Sequence, residues 1–267
     1  MNKLSSISCD SNRTVINRLI CSLGRVEKYD ATQVRCISFS KASDIVDSVN
    51  IRLTNMAGGY PFIFNGVTWH DSEMLYLCGE FSENSPHHQD IQEQIHNQTS
   101  GYAAKRFIKN KYKGLIRQDF ADIRVQWMLF VVWQKCIGNA EFARLLSQIP
   151  QDAVIIENTT KQRCESKEVW GCSNYELTAY RDLVTDKVVE QAKVSNPKIS
   201  KKALNELVTQ ETSKINNIGV FTGQNNLGKI LMICRDCLMQ GVEPLIDYSL
   251  LDSKGIYILG KRISFTH

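Results

Sequence analysis

The sequence has 267 residues, 43% of them hydrophobic, which is enough to bury a substantial core. The sequence has 32 Lys and Arg against 28 Asp and Glu, a net charge of +4. This near balance excludes a protein whose whole surface is basic and attracts nucleic acid or membranes. No apolar run is long enough to span a bilayer, and the N-terminal segment lacks the apolar stretch of a signal peptide. We therefore expect a soluble, cytoplasmic protein with a single compact body and no membrane partner.

Nine cysteines and five histidines raise the question of a metal or redox site. The cysteines are odd in number and lie among apolar neighbours, as in proteins whose thiols stay reduced. Cys234 and Cys237 form a CxxC pair, but it lies in a helical pattern, and no second pair stands at zinc spacing. His87 and His88 are adjacent in a polar stretch rather than one helical turn apart. The sequence therefore predicts no metal and no other cofactor.

The first third of the chain mixes short elements. Residues 12–28 and 41–48 have weakly helical patterns, and residues 34–39 between them predict a short buried strand. Alternating apolar residues on either side of Asn65-Gly66 predict a tight hairpin over residues 62–69.

The middle of the chain is dominated by helical patterns. Asp71 or Ser72 is placed to cap a helix that has Glu73 in its first turn. Residues 88–110 predict a polar helix, and residues 119–136 are apolar nearly all round, which predicts a central buried helix.

Short elements and a helical pair fill the last part of the chain. A short helix at residues 141–149 and a strand at 153–158 come first. Two amphipathic helices at 176–193 and 199–214 follow, separated by Asn196-Pro197. Residues 255–265 predict a final strand.

Together these patterns predict an α+β fold that is predominantly helical, with a few short strands. The expected organisation is a helical extension over residues 1–33, a main domain over 34–240 and a C-terminal extension over 241–267 packed on the body. A helical insertion at 173–218 interrupts the main domain. The insertion would be either a lid over a site or a surface excursion.

The segment GQNNLGKILMICRDCL, residues 223–238, places glycines and asparagines before an apolar helix. The simplest interpretation is a turn and N-cap. The alternative is an anion site, in which Gly223 and Gly228 admit a phosphate to open helix amides. Asn225 and Asn226 would then cap the helix or bond a ribose or base edge. On this motif alone the turn is favoured.

Several motifs in order along the chain resemble the NADAR, or YbiA-like, family. The matching motifs are NGVTWHDSE at residues 65–73, LIRQDF at 115–120, a strand ending at Glu157, the pair Trp170-Gly171, and residues 223–238. The last is similar to the family pattern G-x-N-x-L-G-x-x-L-M-x-x-R-x-x-L. The resemblance extends over residues 34–240, so the main domain resembles a NADAR catalytic domain.

The resemblance implies an N-glycosidase that hydrolyses the bond between a nitrogen and C1 of a ribose. Its expected partner is an ADP-ribosyl or ribosyl-phosphate conjugate, with ADP-ribose on guanine of a nucleic acid as the favoured substrate. Riboflavin biosynthesis intermediates are the alternative substrate. A module that binds ADP-ribose or NAD without catalysis is an alternative of another class.

Glu73 corresponds to the family's essential glutamate. Cleavage of an N-ribosyl bond develops positive charge at C1, so a carboxylate beneath the sugar stabilises the transition state and can activate water. The candidates for protonating the leaving base are Asp119, Glu168 and Glu157.

The resemblance also implies a set of substrate-binding residues. Trp69 and Trp170 would stack on a base, and Arg235 would face phosphate or serve as a structural ion-pair partner. The full set is Asn55, Trp69, Ser72, Arg117, Trp170, Gly171, Gly223, Asn225, Asn226, Gly228 and Arg235.

The sequence departs from the family at four positions. Phe120 stands where a Trp is common, Lys167 where an Asp is common, and Leu77 and Glu80 where Gln and Lys are common. After a local shift, Glu165 or Glu168 would replace the missing Asp.

Basic residues are concentrated between residues 105 and 117, interleaved with Phe107 and Tyr112. They are Lys105, Arg106, Lys109, Lys111, Lys113 and Arg117. Such a run is either a solvated helix face or a track for a diphosphate or nucleic-acid backbone.

Overall fold

The computed structural model describes residues 4–41, 45–46, 49–50, 52–163 and 167–265. For the residues before 13 and between 45 and 50, only the backbone is described. The α-helices within these ranges are α1 (Leu4–Ser22), α2 (Ser72–Gly79), α3 (Pro86–His96), α4 (Gly101–Lys111), α5 (Phe120–Gly138), α6 (Ala140–Ser147), α7 (Lys167–Trp170), α8 (Tyr175–Ser195), α9 (Lys201–Ser213), α10 (Asn226–Gln240) and α11 (Tyr248–Ser253).

The strands are short and form small sheets. They are β1 (Glu27–Asp30), β2 (Cys36–Phe39), β3 (Ile45–Val46), β4 (Val49–Asn50), β5 (Phe62–Phe64), β6 (Val67–Trp69), β7 (Val154–Glu157), β8 (Cys172–Ser173), β9 (Val220–Gly223), β10 (Tyr257–Ile258) and β11 (Lys261–Arg262). β9 lies between β1 and β8 in an antiparallel sheet, and β2 pairs with β7 in parallel. β3–β4, β5–β6 and β10–β11 are antiparallel pairs. The architecture is therefore α+β with helix predominant, as the sequence predicts.

The chain separates into two compact units. The first contains Met1–Ser22, Asn55–Ile149 and Ile230–His267, and the second contains Leu23–Thr54 and Pro150–Lys229. The boundary therefore falls inside α10. The predicted division into extensions, main domain and insertion stays a prediction.

The core of the first unit is built on α2 and α5. Every residue of α2 is buried, and α5 is buried on most of its circumference, because its sequence is apolar nearly all round. The indole Nε1 of Trp127 donates a hydrogen bond to the carbonyl of Tyr76 at 3.1 Å. A Cβ at Gly79 would lie 2.1 Å from the same nitrogen, so only glycine fits there. This close packing holds α2 in one position.

The core of the second unit lies around the strands β2, β7, β8 and β9. Buried apolar side chains from these strands and their neighbours form one cluster: Ala31, Cys36, Ile156, Cys172, Leu177 and Phe221. Leu177 anchors the start of α8, whereas Leu183 and Val194 further along this helix are exposed. The predicted helical pair is confirmed as α8 and α9, and its role as a lid or an excursion stays a prediction.

Most of the predicted elements are present, with four differences. The N-terminal helix α1 ends at Ser22 rather than at residue 28, and β1 occupies the end of the predicted range. The helix predicted at 41–48 is wrong for its described residues, which include β3. The range 88–110 contains two helices, α3 and α4, and the final strand is a hairpin of β10 and β11.

Candidate functional site

The start of α2 is held by two neighbouring side chains. Asp71 is the N-cap, and its carboxylate accepts hydrogen bonds from the amides of Met74 at 3.1 Å and Gly101 at 2.7 Å. The buried hydroxyl of Ser72 donates to Asn55, and the amide of Glu73 donates to the Asn55 carbonyl at 3.3 Å. Asn55 and Ser72, both predicted to bind substrate, therefore position the helix that carries Glu73.

Glu73 is a buried carboxylate with a partly solvated counter-ion. Its side chain is 5% exposed, and its Oε1 lies 3.0 Å from Nζ of Lys105, whose side chain is 53% exposed. The two atoms are close enough for an ion pair, yet within the described part of the chain Oε1 accepts no hydrogen bond of normal direction. A carboxylate oxygen in a low dielectric thus keeps hydrogen-bonding capacity.

Glu80 extends this charged group along α2. Burial, and then the charge of Glu73, raise the pKa of Glu80 to about 8, while Lys105 acts in the opposite direction. Burial also raises the pKa of Tyr76, with smaller contributions from the charges of Glu80 and Glu73. Sequence reasoning noted Glu80 only as a departure from the family. The available signal was its spacing of seven residues from Glu73, which places both on one helix face.

Arg117 and Asp119 bind each other. The Arg117 Nε lies 2.6 Å from Asp119 Oδ1, and its other nitrogens donate to Ser82 Oγ and the Lys254 carbonyl. Hydrogen bonds from Arg117 and Lys254 hold the pKa of Asp119 below its usual range, so the carboxyl is ionised at neutral pH. These contacts give both residues a structural role, and the substrate-binding role of Arg117 and the proton-donor role of Asp119 stay predictions.

Trp69 lies in the core of the first unit. It is fully buried, and its ring meets His96 edge to face, with ring centroids 5.0 Å apart. A ring in this position presents no face for a base. The structure therefore supports a packing role in place of the predicted stacking role.

The side chains of Asn225 and Asn226 are occupied within the second unit. Asn225 has a φ of 50°, and its amide group bonds the carbonyl of Ile155 at 2.9 Å and the amide of Glu157 at 3.2 Å. Asn226 accepts from the amide of Gly24 and donates to the carbonyl of Val169, both at 2.7 Å. These are the contacts of a turn that joins chain segments, the simpler of the two sequence interpretations.

The glycines near this turn permit close approaches of backbone. A Cβ added to Gly171 would lie 2.3 Å from the carbonyl oxygen of Glu157. A Cβ added to Gly223 would lie 2.3 Å from the carbonyl oxygen of Gly171, and one added to Gly228 would lie 2.2 Å from that of Ile155. Backbone atoms of neighbouring segments therefore lie against these glycines, and the phosphate contact stays a prediction. The next residue, Lys229, is also buried, and its Nζ lies 3.1 Å from Glu27 and 2.9 Å from the Arg25 carbonyl.

The remaining predicted residues have different surroundings. Glu168 has an exposed side chain in α7, Trp170 is half-buried at the end of that helix, and Arg235 is buried with its Nε 2.8 Å from Asp236. Arg235 therefore has the structural ion-pair role considered from the sequence. The other candidate replacement for the missing Asp, Glu165, lies outside the described residues.

The basic run is mostly on the surface. Lys105, Arg106, Lys109, Lys111 and Lys113 are exposed, whereas Arg117 is buried in its ion pair. Tyr102, at the start of α4, is 66% exposed. The spacing of residues 102, 105, 106 and 109 places an aromatic ring and three cations on one face of α4.

The described residues lack both a metal-binding cluster and a membrane-spanning helix. Within those ranges, no group of three or more His, Cys, Asp or Glu side chains is arranged to hold a metal ion. Across the same ranges, no helix has the length and apolar character needed to cross a membrane.

Comparisons with known proteins give a similarity in structure and none in sequence. No family model matches the chain, and no curated protein matches it in sequence. An NMR structure of the E. coli protein YbiA is similar over 78% of this chain and 86% of that chain, with 20% identity and a TM-score of 0.48. A similarity at this level does not establish a family.

Proposed function

We propose that the protein is an N-glycosidase that hydrolyses an N-ribosyl bond, with Glu73 as its catalytic carboxylate. The proposed substrate is ADP-ribose linked to a guanine of nucleic acid. The observation that carries the proposal is the environment of Glu73, a buried carboxylate with unused hydrogen-bonding capacity beside a partly solvated lysine. The motif resemblance found in the sequence supports the same residue.

The environment of Glu73 suits a reaction that develops positive charge. When the bond between C1 and nitrogen lengthens, the ribose acquires oxocarbenium character, and a fixed carboxylate in a low dielectric stabilises it. Lys105 is half solvated, so displacing its ammonium costs little, and the carboxylate then becomes available to the sugar and to water. Glu73 can then accept the proton of the attacking water as C1 is attacked.

The exposed face of α4 supports a substrate rich in phosphate. Arg106 and Lys109 lie on the same face as Lys105, which itself contacts Glu73. Cations so arranged attract a diphosphate or a nucleic-acid backbone, and the exposed ring of Tyr102 on this face suits stacking with a base. This arrangement favours an ADP-ribosylated nucleic acid over a small riboflavin intermediate with a single phosphate.

The decisive experiment is a product assay on an oligonucleotide that carries ADP-ribosyl guanine. We expect Glu73→Gln to lower the rate of ADP-ribose release by about 10²- to 10⁴-fold, because it removes the charge and the base while keeping the shape. Circular dichroism should remain that of the wild type. The matched control is Glu93→Gln, which changes an exposed glutamate in the same unit.

Other outcomes identify the alternatives. Full turnover by Glu73→Gln would exclude Glu73 as the catalytic group. A clear preference of the wild type for ribosylated pyrimidine intermediates would replace the proposed substrate. Tight binding of ADP-ribose by calorimetry, without turnover of any conjugate, would identify a binding module instead of an enzyme.

A further inference from the structure

We propose that Glu80 donates the proton to the leaving nitrogen, and that it works with Glu73 from the same face of α2. This inference rests on the proposed function and adds the acid that the N-glycosidase reaction needs. Neither Asp119 nor Glu168 fills this role well. The first is held ionised by Arg117, and the second has an exposed side chain in α7.

The geometry of α2 brings Glu73, Tyr76 and Glu80 to one side. Residues three and seven positions apart lie within about 60° of each other around a helix axis. Tyr76 lies between the two glutamates in the sequence of α2, and its ring packs against Phe120, with ring centroids 5.6 Å apart. Two turns of helix, a rise of about 10 Å, separate the backbone positions of Glu73 and Glu80.

The surroundings of Glu80 favour the protonated acid. Glu80 is the C-cap of α2, where the negative end of the helix dipole opposes a second negative charge. Glu73 on α2 repels a negative charge there as well, whereas Lys105 on α4 attracts one. The positive charge of Arg124 on α5 acts on Tyr76. Over the described ranges, the Glu80 carboxyl has no hydrogen-bond or ion-pair partner, so its proton is not committed to another protein group.

A carboxyl group kept protonated near a second carboxyl group is a usual arrangement of an acid and a base. In the proposed step, a water oxygen forms the new bond to C1 as the bond between C1 and nitrogen breaks. Glu73 takes one proton from that water, and Glu80 gives its proton to the leaving nitrogen, which takes the bonding electrons. The products are a ribose with a hydroxyl at C1 and a neutral amine or base. Exchange with solvent then returns Glu73 and Glu80 to their starting states.

The test compares two leaving groups and two variants. One substrate is the ADP-ribosyl guanine oligonucleotide, whose leaving nitrogen needs a proton. The other is NAD, whose pyridinium nitrogen leaves as a neutral ring without one. We expect Glu80→Gln to slow cleavage of the first by about 100-fold and of the second by less than about threefold, whereas Glu73→Gln slows both. Glu93→Gln is again the control.

The pH dependence gives a second readout for the guanine substrate. The rate of the wild type should fall as pH rises through about 8, because Glu80 loses its proton there. In Glu80→Gln this alkaline decline should disappear. If the wild type does not cleave NAD, the pH profile for the guanine substrate decides whether Glu80 is the acid.

The outcomes separate this inference from the function on which it rests. If Glu73→Gln is inactive while Glu80→Gln keeps the rate and the alkaline decline of the wild type, Glu80 is not the acid and the proposed function stands. If the wild type cleaves neither substrate, or Glu73→Gln keeps its rate, both proposals are wrong. Glutamine has the shape of protonated glutamic acid, so an unchanged melting temperature at pH 5 verifies that the variant is folded.

Discussion

The starts of α2 and α10 look alike in sequence but are built differently. Each places polar residues before a buried apolar helix. At the start of α10, the amide groups of Asn225 and Asn226 bond neighbouring backbone. At the start of α2, Asp71 and Ser72 bond neighbouring residues, whereas Glu73 keeps an oxygen without a well-directed hydrogen bond beside a half-solvated lysine. Unused hydrogen-bonding capacity, rather than residue type, distinguishes a candidate site from a structural turn.

The largest expected effect of a substitution tests the structural side of this comparison. Asn225→Ala should lower the free energy of unfolding by about 4 kcal/mol, because it leaves two buried backbone groups unsatisfied and places alanine at a positive φ. Urea unfolding of the variant and the wild type at 25 °C measures this change in the free energy of unfolding. Thr222→Ala, an exposed change nearby, should cost less than about 0.5 kcal/mol. A stable Asn225→Ala protein that no longer binds substrate would make Asn225 a ligand-binding residue instead.

An intermediate effect tests the electrostatics of α2. The pKa of Glu80 in the folded protein, about 8, lies above its ordinary value of 4.5, so its stabilising contribution is complete below pH 4.5 and is lost as pH rises through 8. Glu80→Gln removes this dependence. The variant should match the wild type near pH 4.5 and exceed it in the free energy of unfolding by up to about 3 kcal/mol at pH 7.

Denaturant unfolding of both proteins between pH 4.5 and 8 gives that difference directly. The exposed control Glu93→Gln should give a difference that stays within about 0.5 kcal/mol over the same range. If the Glu80→Gln curve runs parallel to that of the wild type, Glu80 titrates as an ordinary surface glutamate.

The elements that sequence reasoning located well are those with a strong local pattern. The apolar periodicity of α5, the Asn65-Gly66 turn between β5 and β6, and Asp71 as a helix cap are all present in the structure. The range 41–48 is short and mixed, and such segments do not distinguish a helix from strands such as β3. Local pattern therefore predicted most of the fold.

The candidate site was less predictable because partners far apart in sequence decide what a side chain can do. Arg117 and Asp119 were both predicted as site residues, but they bind each other and Lys254, which is distant in sequence. Trp69 is an aromatic residue that could stack on a base, but its side chain is fully buried. Glu80 was not proposed from the sequence, since its proton affinity depends on burial and on Lys105 from another helix.

The smallest expected effect tests whether Lys105 belongs to a site or to the framework. Lys105→Met should change the free energy of unfolding by less than about 1 kcal/mol, because a half-solvated ion pair contributes little. It should weaken substrate binding and reduce the salt dependence of binding by about one phosphate contact. Lys109→Met, on the same face of α4, should have the same salt effect. A loss of stability as large as that expected for Asn225→Ala would instead make the ion pair of Glu73 and Lys105 structural, and the start of α2 would then be built like the start of α10.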